Sequence, residues 1–110
     1  MSSEKIVVIA DFSVIPMGLG TTSIGKHIAI AINAIKEVKG IKCEVTPMGT
    51  VLEAEKLDTI LEAVKVAHEA LFKAGIKRVE SNIRIDDRRD KHRTMEDKVK
   101  SIKEYMKKLS

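Results

Sequence analysis

The sequence has few aromatic residues and a single cysteine, and these shortages exclude several classes of protein. Aromatic residues make up 3% of the chain, as Phe12, Phe72 and Tyr105. Proteins that bind single-stranded nucleic acid stack bases on more aromatic side chains than this. Because Cys43 stands alone, the chain has neither a disulfide framework nor a metal site built from cysteine pairs.

Long hydrophobic runs and a strong charge bias are also missing. No segment approaches the roughly 20 apolar residues that a membrane-spanning helix needs. The net charge of +4 is weak beside the clustered basic face of a nucleic-acid-binding domain. Residues 1–5 lead directly into a strand-like stretch and lack the features of a secretory signal. We therefore expect a cytoplasmic protein with neither a membrane nor a nucleic-acid partner.

The apolar content that is present suffices for one domain over residues 1–110. Hydrophobic residues make up 44% and charged residues 33% of the chain, which indicates a core under a charged surface. A domain of this size buries about two-thirds of the surface that its unfolded chain exposes. Neither a metal nor a disulfide is therefore needed to hold it together.

Hydrophobic periodicity predicts the element order β-α-β-β-α-β followed by a further helix. The predicted strands cover 5–16, 41–48, 51–55 and 78–86, and the predicted helices cover 22–39, 56–74 and a segment that begins at Thr94. Thr94 and Asp97 form a capping box for that last helix. The fold class is therefore α+β, a ferredoxin-like β-α-β-β-α-β sandwich with an additional C-terminal helix and strand order 4-1-3-2.

The segment GTTSIGKH, from Gly20 to His27, resembles a phosphate-binding loop. Such a loop ends in a Ser or Thr hydroxyl that binds magnesium, and a histidine cannot supply that hydroxyl to a hard cation. We therefore expect no nucleotide hydrolysis, although the backbone N–H groups of the helix N-terminus could still hold an anion. Thr21, Thr22 or Ser23 is expected to cap the helix that follows.

The predicted topology gathers polar residues on the sheet face that the two crossover helices leave open. Asp11 and Ser13 of the first strand should lie close to Asn82 and Arg84 of the fourth, and Glu53 of the third strand should share their face. Two interpretations stay open. An Asp11–Arg84 pair could serve the fold alone, or one carboxylate could be left to recognise a ligand.

Two near-copies, VIPMG (14–18) and VTPMG (45–49), end the first two strands. These strands are parallel in the predicted topology, so the loops 16–23 and 47–50 should lie near each other.

Other reactive side chains point to no catalytic centre. His68 lies beside the apolar stripe of the second helix, either as a half-buried histidine satisfied by a neighbour or as a ligand-contacting, pH-sensing or catalytic group. The charged segment 86–93 alternates in sign, which favours a solvated turn with internal ion pairs. No zinc-ligand spacing and no nucleophile elbow is present. The sequence predicts no catalytic residue, no cofactor and no metal.

Three segments together resemble a known family: VIPMGLGTTSIGKHIAIAINAIK, PMGTVLEAEKLDTILEAVKVAHEAL and RVESNIRIDDRR. They are similar to the small thiamine-binding protein family of the YkoF-like superfamily, from Ile6 to about Val99. The resemblance implies a ferredoxin-like fold, assembly into dimers and homotetramers, and no catalysis. For some members it implies binding of thiamine or of its hydroxymethylpyrimidine part.

The sequence thus predicts a non-catalytic cytoplasmic binding protein for thiamine or a related hydroxymethylpyrimidine that acts as a homo-oligomer. A carboxylate can pair with the amino group and ring nitrogen of the pyrimidine, and hydroxyl groups can complete the contacts. The candidate ligand-binding residues are Asp11, Ser13, Thr21, Thr22, Ser23, Thr50, Glu53, Asn82 and Arg84. The alternative is a structural or regulatory oligomer of unknown ligand, in which the open-face charges serve as interface pairs.

Overall fold

The computed structural model describes residues 7–90 and 93–110, and the predicted order of elements is confirmed. The strands are β1 (Val7–Met17), β2 (Lys42–Thr46), β3 (Gly49–Ala54) and β4 (Arg78–Arg88), and the helices are α1 (Gly25–Lys36), α2 (Leu57–Lys73) and α3 (Met95–Leu109). Within the described residues only the bounds of the elements differ from those predicted, and residues 5 and 6 of the predicted first strand lie outside them.

The strands form one antiparallel sheet in the order β2-β3-β1-β4. This is the predicted 4-1-3-2 order read from the other edge, and with α1 and α2 it makes the ferredoxin-like sandwich. β1 lies between β3 and β4 and pairs antiparallel with both. Within the described ranges, no helix is long and apolar enough to span a bilayer.

The hydrophobic core lies between one face of this sheet and the helices α1 and α2. Alternate residues of β1 point into it, and Phe12 is the largest of them. The other core side chains come from β1, β3, both helices and the segment between α2 and β4. They are Val8, Ala10, Val14, Ala31, Ile35, Leu52, Ala54, Ile60, Ala63, Ala67, Leu71 and Ile76. Asp11 and Ser13, on either side of Phe12 in the chain, therefore face the opposite, open side of the sheet.

The N-terminus of α1 differs from the prediction. The helix begins at Gly25 after Ile24, and no side chain caps it. The expectation that Thr21, Thr22 or Ser23 caps this helix is therefore wrong. The Thr21 hydroxyl instead accepts a hydrogen bond from the Ser23 N–H at 3.1 Å, because such a hydroxyl readily closes a local turn two residues on.

The start of α3 is fastened to the open face of the sheet. The predicted capping box is confirmed: the Thr94 hydroxyl accepts from the Asp97 N–H, and the Asp97 carboxylate accepts from the Thr94 N–H. Glu53 Oε1 accepts a hydrogen bond from the Met95 N–H at 2.9 Å. An ion pair joins Lys98 to Asp86 of β4.

A further ion pair ties the first turn of α3 to the edge strand β2. Lys42 Nζ lies 2.7 Å from Glu96 Oε1, and this hydrogen bond raises the pKa of Lys42. Beyond this turn the apolar stripe of α3 is exposed, at Val99, Ile102, Tyr105, Met106 and Leu109. The helix therefore covers only part of the open face and leaves the middle of β1 and β4 accessible.

Candidate ligand-binding site

Four of the predicted site residues meet on the open face of the sheet. The β1–β4 register places Asp11 opposite Arg84 and Ser13 opposite Asn82. With Met48 and Ile83 they line a shallow cavity of about 140 Å³. The topology therefore brings these four side chains together as predicted, while their role in binding stays a prediction.

Asp11 and Arg84 form a loose ion pair in this cavity. Asp11 Oδ2 lies 3.6 Å from Arg84 Nη2, and the two side chains are 55% and 88% exposed, respectively. Water screens a pair of this kind, so it contributes little to stability. A ligand that offers either charge a better partner would therefore meet little resistance.

A larger, mostly apolar cavity of about 430 Å³ adjoins the first. Ser13 and Met48 line both cavities, so the two share a boundary. Ile24 of the loop before α1 and Pro47 of the β2–β3 turn line the larger one. Val14 and Ile15 of the first near-copy segment line it as well, so parts of the two segments 14–18 and 45–49 share this cavity. No residue of 16–23 is in its lining, and the predicted proximity of that loop to 47–50 stays a prediction.

The larger cavity exists because β1 is longer than β3. β3 pairs with β1 only from Val8 to Phe12, whereas β4 pairs with β1 along its whole length to Met17. On the β3 side, residues 13–17 of β1 therefore meet no strand among residues 7–90 and 93–110. Ser13, Val14 and Ile15 of this stretch line the cavity.

Gly49 allows the β2–β3 hairpin to close tightly against β1. A Cβ atom at this position would lie 2.9 Å from the Phe12 carbonyl oxygen and 3.5 Å from Asp11 Oδ1. The hairpin is braced by Thr46, whose hydroxyl donates to the Gly49 carbonyl at 2.9 Å and accepts from the Met48 N–H at 3.3 Å. Met48, 89% exposed, stands at the tip between the two cavities.

Replacement of Gly49 by alanine is expected to lower the free energy of unfolding by about 1–3 kcal/mol, because the added methyl group overpacks a backbone contact. The added methyl group should also displace the hairpin, and with it Asp11 and Met48, so ligand affinity should fall as well. Chemical denaturation followed by circular dichroism measures the first effect.

Gly25→Ala is the matched control for this change. Gly25 is the first residue of α1, and a Cβ atom there would meet nothing within 4 Å. Alanine favours a helix by up to about 1 kcal/mol over glycine, so this variant should be as stable as the parent or more so. Equal destabilisation by both substitutions would contradict the close-contact role of Gly49.

The remaining predicted site residues lie elsewhere. Thr50 is 5% exposed, pairs with Phe12 and lines the apolar cavity. Glu53 lies opposite Ile9 on the open face, where it binds the start of α3. Thr21, Thr22 and Ser23 are exposed and are absent from the linings of both cavities. The structure therefore groups Asp11, Ser13, Asn82 and Arg84 at the smaller cavity and places Thr50 with Ser13 in the lining of the larger one. The other four residues, Glu53, Thr21, Thr22 and Ser23, line neither cavity.

Two features of the site were not predicted from the sequence: the tight approach of Gly49 and the free backbone edge of β1. A signal for the second was present, since a predicted third strand of residues 51–55 cannot pair along all of residues 5–16. Gly49 falls in the predicted loop 47–50, and no local pattern indicates its contact, because that contact is with residues far away in the sequence.

His68 lies between α2 and β4, on the opposite side of the sheet. Its Nε2 atom is 2.8 Å from the Ser81 hydroxyl, and its ring stands 6.4 Å from that of Phe72 at 53°. This favours the interpretation of a half-buried histidine satisfied by a neighbour. Among residues 7–90 and 93–110, no group of His, Cys, Asp and Glu side chains could hold a metal ion.

The charged segment 86–93 begins within β4, and its residues 91 and 92 lie outside the described residues. The rest of it contains the predicted internal ion pairs. Arg88 pairs with Asp90 at 2.7 Å and Arg89 with Asp87 at 2.8 Å. The hydrogen bond from Arg89 lowers the pKa of Asp87. These guanidinium groups are therefore already engaged with carboxylates.

Fold and site define a small ferredoxin-like α+β protein with a polar, solvent-open patch on its uncovered sheet face. Comparison with known proteins gives the family. The profile of the thiamine-binding protein family matches residues 10–103, and the chain belongs to that family.

Several relatives and solved structures resemble the chain over nearly its whole length. A UPF0045 protein of Methanothermobacter thermautotrophicus is 47% identical over 98 residues, which is 89% of this chain and 98% of the relative. A hypothetical protein of Methanocaldococcus jannaschii is 43% identical with a TM-score of 0.79, over 89% of this chain and 97% of that one.

A Thermotoga maritima structure carries a functional description. It is 28% identical with a TM-score of 0.70, over 87% of this chain and 98% of that one, and it is described as a proposed thiamine biosynthesis or salvage protein.

Proposed function

We propose that this protein is a non-catalytic cytoplasmic binding protein for thiamine or a related hydroxymethylpyrimidine, and that it works as a homo-oligomer, a dimer or a tetramer. The observation that carries the proposal is the convergence of Asp11, Ser13, Asn82 and Arg84 on one cavity in a chain of the thiamine-binding protein family. The salvage role proposed for the Thermotoga maritima relative supports the choice of ligand.

The chemistry of the polar patch suits an aminopyrimidine. Such a ring presents an amino donor beside a ring nitrogen, and thiamine adds a positively charged thiazolium. The Asp11 carboxylate accepts from an amino group and attracts the cation, and a hydrogen bond to a charged group is among the stronger kinds. Ser13 and Asn82 can each donate or accept, so they can complete the contacts to the ring edge.

The two adjoining cavities suit a ligand with one polar and one apolar part. Pockets for small ligands enclose roughly 300–1,000 Å³ and are mostly apolar, with a few placed polar groups. The larger cavity, about 430 Å³, falls in this range, and Ser13 and Met48 connect it to the polar patch. In our proposal the ring lies across this boundary, and the exposed Met48 side chain covers it.

Backbone groups supply a second kind of contact in this proposal. Within the described residues, the edge of β1 from residue 13 to residue 17 has no strand on the β3 side. A free strand edge offers backbone N–H and C=O groups, of which Pro16 supplies only the C=O. An aminopyrimidine also carries a donor next to an acceptor and can bind such an edge as a neighbouring strand would. This compensates for the lack of an exposed aromatic stacking partner, since Phe12 lines the larger cavity but is only 2% exposed.

Titration calorimetry and thermal-shift measurements with thiamine and with hydroxymethylpyrimidine test the proposal. Binding is expected to release heat and to raise the melting temperature as ligand exceeds its dissociation constant. Oxythiamine, in which an oxo group replaces the ring amino group, is the matched control and should bind more weakly. Absence of both heat and thermal shift with thiamine and hydroxymethylpyrimidine at millimolar concentration would remove this function.

A second candidate is a structural or regulatory oligomer whose open-face charges only pair with one another. The Asp11–Arg84 ion pair and the hydrogen bond from Met95 to Glu53 favour it, because each gives an open-face charge a partner within the fold. Under this alternative, removal of these charges changes assembly or melting and leaves no ligand effect to observe.

A further inference from the structure

A separate cavity lies on the open face of the sheet where α3 begins, and it shares no lining residue with the two cavities of the candidate site. Its volume is about 120 Å³. This is more than the ~30 Å³ that one water molecule occupies and less than the roughly 300 Å³ of the smaller pockets for whole ligands. Three of its six lining residues are basic; the six are Val7, Ile9, Asp86, Arg88, Arg93 and Lys98.

Arg93 carries a donor that the fold leaves unused. Its Nε atom is buried and has no hydrogen-bond partner within the described residues. A buried N–H without an acceptor costs free energy, and the cost is larger for a charged group. Native proteins usually satisfy such a group, through the protein itself or through something bound to it. An acceptor bound in the cavity that Arg93 lines would satisfy this one.

The other two basic residues of the lining are only partly engaged by their carboxylate partners. Arg88 donates to Asp90 from Nε and Nη2, which uses two of the five N–H groups of a guanidinium. Lys98 forms an ion pair with Asp86. With Arg93, three cations stand against two carboxylates and leave one positive charge at the cavity. The repulsion that Asp86 would exert on an anion is therefore outweighed.

We propose that this cavity binds one phosphate group, and we call it the oxyanion cavity. A guanidinium offers N–H donors in a fork that matches an oxyanion, whereas an ammonium supplies a compact charge. Arg93 and Arg88 provide the first kind of donor and Lys98 provides the second. Val7 and Ile9 give the cavity an apolar side, which lowers the local dielectric constant and strengthens each contact between charges.

The phosphate group has two possible sources, inorganic phosphate or a phosphorylated ligand in the polar patch; the second rests on the proposed function. The β1–β4 register pairs Ile9 with Asp86 and, next on the same face, Asp11 with Arg84. Two residues along a strand span about 7 Å. A single phosphorylated aminopyrimidine can therefore contact Asp11 and the oxyanion cavity together.

Titration calorimetry and thermal shift with inorganic phosphate test the cavity without any pyrimidine ligand. The ionic strength is held constant with chloride, so that general screening does not change. The parent protein is expected to bind phosphate, and Arg93→Gln is expected to bind it about tenfold more weakly or worse. Arg93→Lys keeps the charge but loses the Nε donor, so it should not restore the parent affinity.

Arg89→Gln is the matched control. Arg89 belongs to the same charged segment, pairs with Asp87 and is absent from the cavity lining. Its replacement removes the same unit of charge and should leave phosphate affinity within about twofold at constant ionic strength. Equal weakening by Arg93→Gln and Arg89→Gln would overturn the proposal. So would a parent protein that shows neither heat nor thermal shift with ~10 mM phosphate.

Comparison of thiamine with thiamine monophosphate distinguishes the two sources. A phosphate group that belongs to the ligand should make thiamine monophosphate bind about tenfold more tightly than thiamine, and Arg93→Gln should abolish only that gain. If the source is inorganic phosphate, the two compounds should bind alike. A protein that binds phosphate but neither thiamine compound refutes the proposed function and keeps the oxyanion cavity. Thiamine binding without any phosphate binding that depends on Arg93 does the reverse.

Discussion

Replacement of Phe12 by alanine is expected to lower the free energy of unfolding by about 3–5 kcal/mol. Phe12 lies in the central strand, is 2% exposed and is the largest fully buried side chain. Its ring packs in the cluster that both helices share with the sheet, so its removal leaves a cavity that several elements would have to collapse to fill. Small domains have only about 5–15 kcal/mol of stability, so urea denaturation should show a large shift of the midpoint.

Phe72→Ala is the control for that experiment. Phe72 lies on α2 and is 48% exposed, and its ring stands 6.4 Å from that of His68. The same chemical change there should cost about 1 kcal/mol or less, as surface substitutions usually do. Comparable losses for Phe12 and Phe72 would contradict the placement of the core on the helix side of β1.

Asp11→Asn is expected to weaken thiamine binding about tenfold to a hundredfold, because it replaces a charge-assisted hydrogen bond by a neutral one. The two side chains are almost equal in size, so the hairpin contact at Gly49 is kept. The exposed pair with Arg84 stabilises the fold little, and the melting temperature should therefore change little. Titration calorimetry of both proteins at one ionic strength measures the difference.

Glu53→Gln neutralises another carboxylate of the same sheet face and serves as the control. Glu53 accepts the Met95 N–H, so its loss should loosen the start of α3, which hydrogen exchange can follow. Ligand affinity should change less than twofold. The reverse pattern, with Asp11→Asn altering assembly or melting and not binding, would support the structural oligomer instead.

The fold was predictable because its elements carry strong periodic signals. The apolar alternation of β1 and the helical stripes of α1 and α2 predicted both the elements and the faces they bury. The grouping of Asp11 with Arg84 and of Ser13 with Asn82 followed from the antiparallel topology, and the register confirms it. Because successive side chains of a strand point to opposite faces, the pairing register is nearly fixed once the buried face is known.

The rest of the site depended on distances that no local pattern contains. Glu53 was placed on the correct face, but its partner Met95 lies 42 residues away and belongs to a helix of unknown placement. The hydroxyls of Thr21, Thr22 and Ser23 were expected to cap α1, whereas the helix begins later and without a side-chain cap. Thr50 was expected near the ligand, and its burial beside Phe12 follows from the pairing of β3 with β1.

The sequence by itself determined the ferredoxin-like order of elements, the core side of β1 and the likeness of GTTSIGKH to a phosphate loop without its metal-binding hydroxyl. These depend on residue type and on short-range periodicity, which the chain carries before it folds. The tertiary structure alone decided that β3 ends before β1, that Gly49 lets the hairpin close, and that two cavities meet at Ser13 and Met48. These depend on where elements distant in sequence come to lie against one another, because packing, and not local propensity, sets the space left between them.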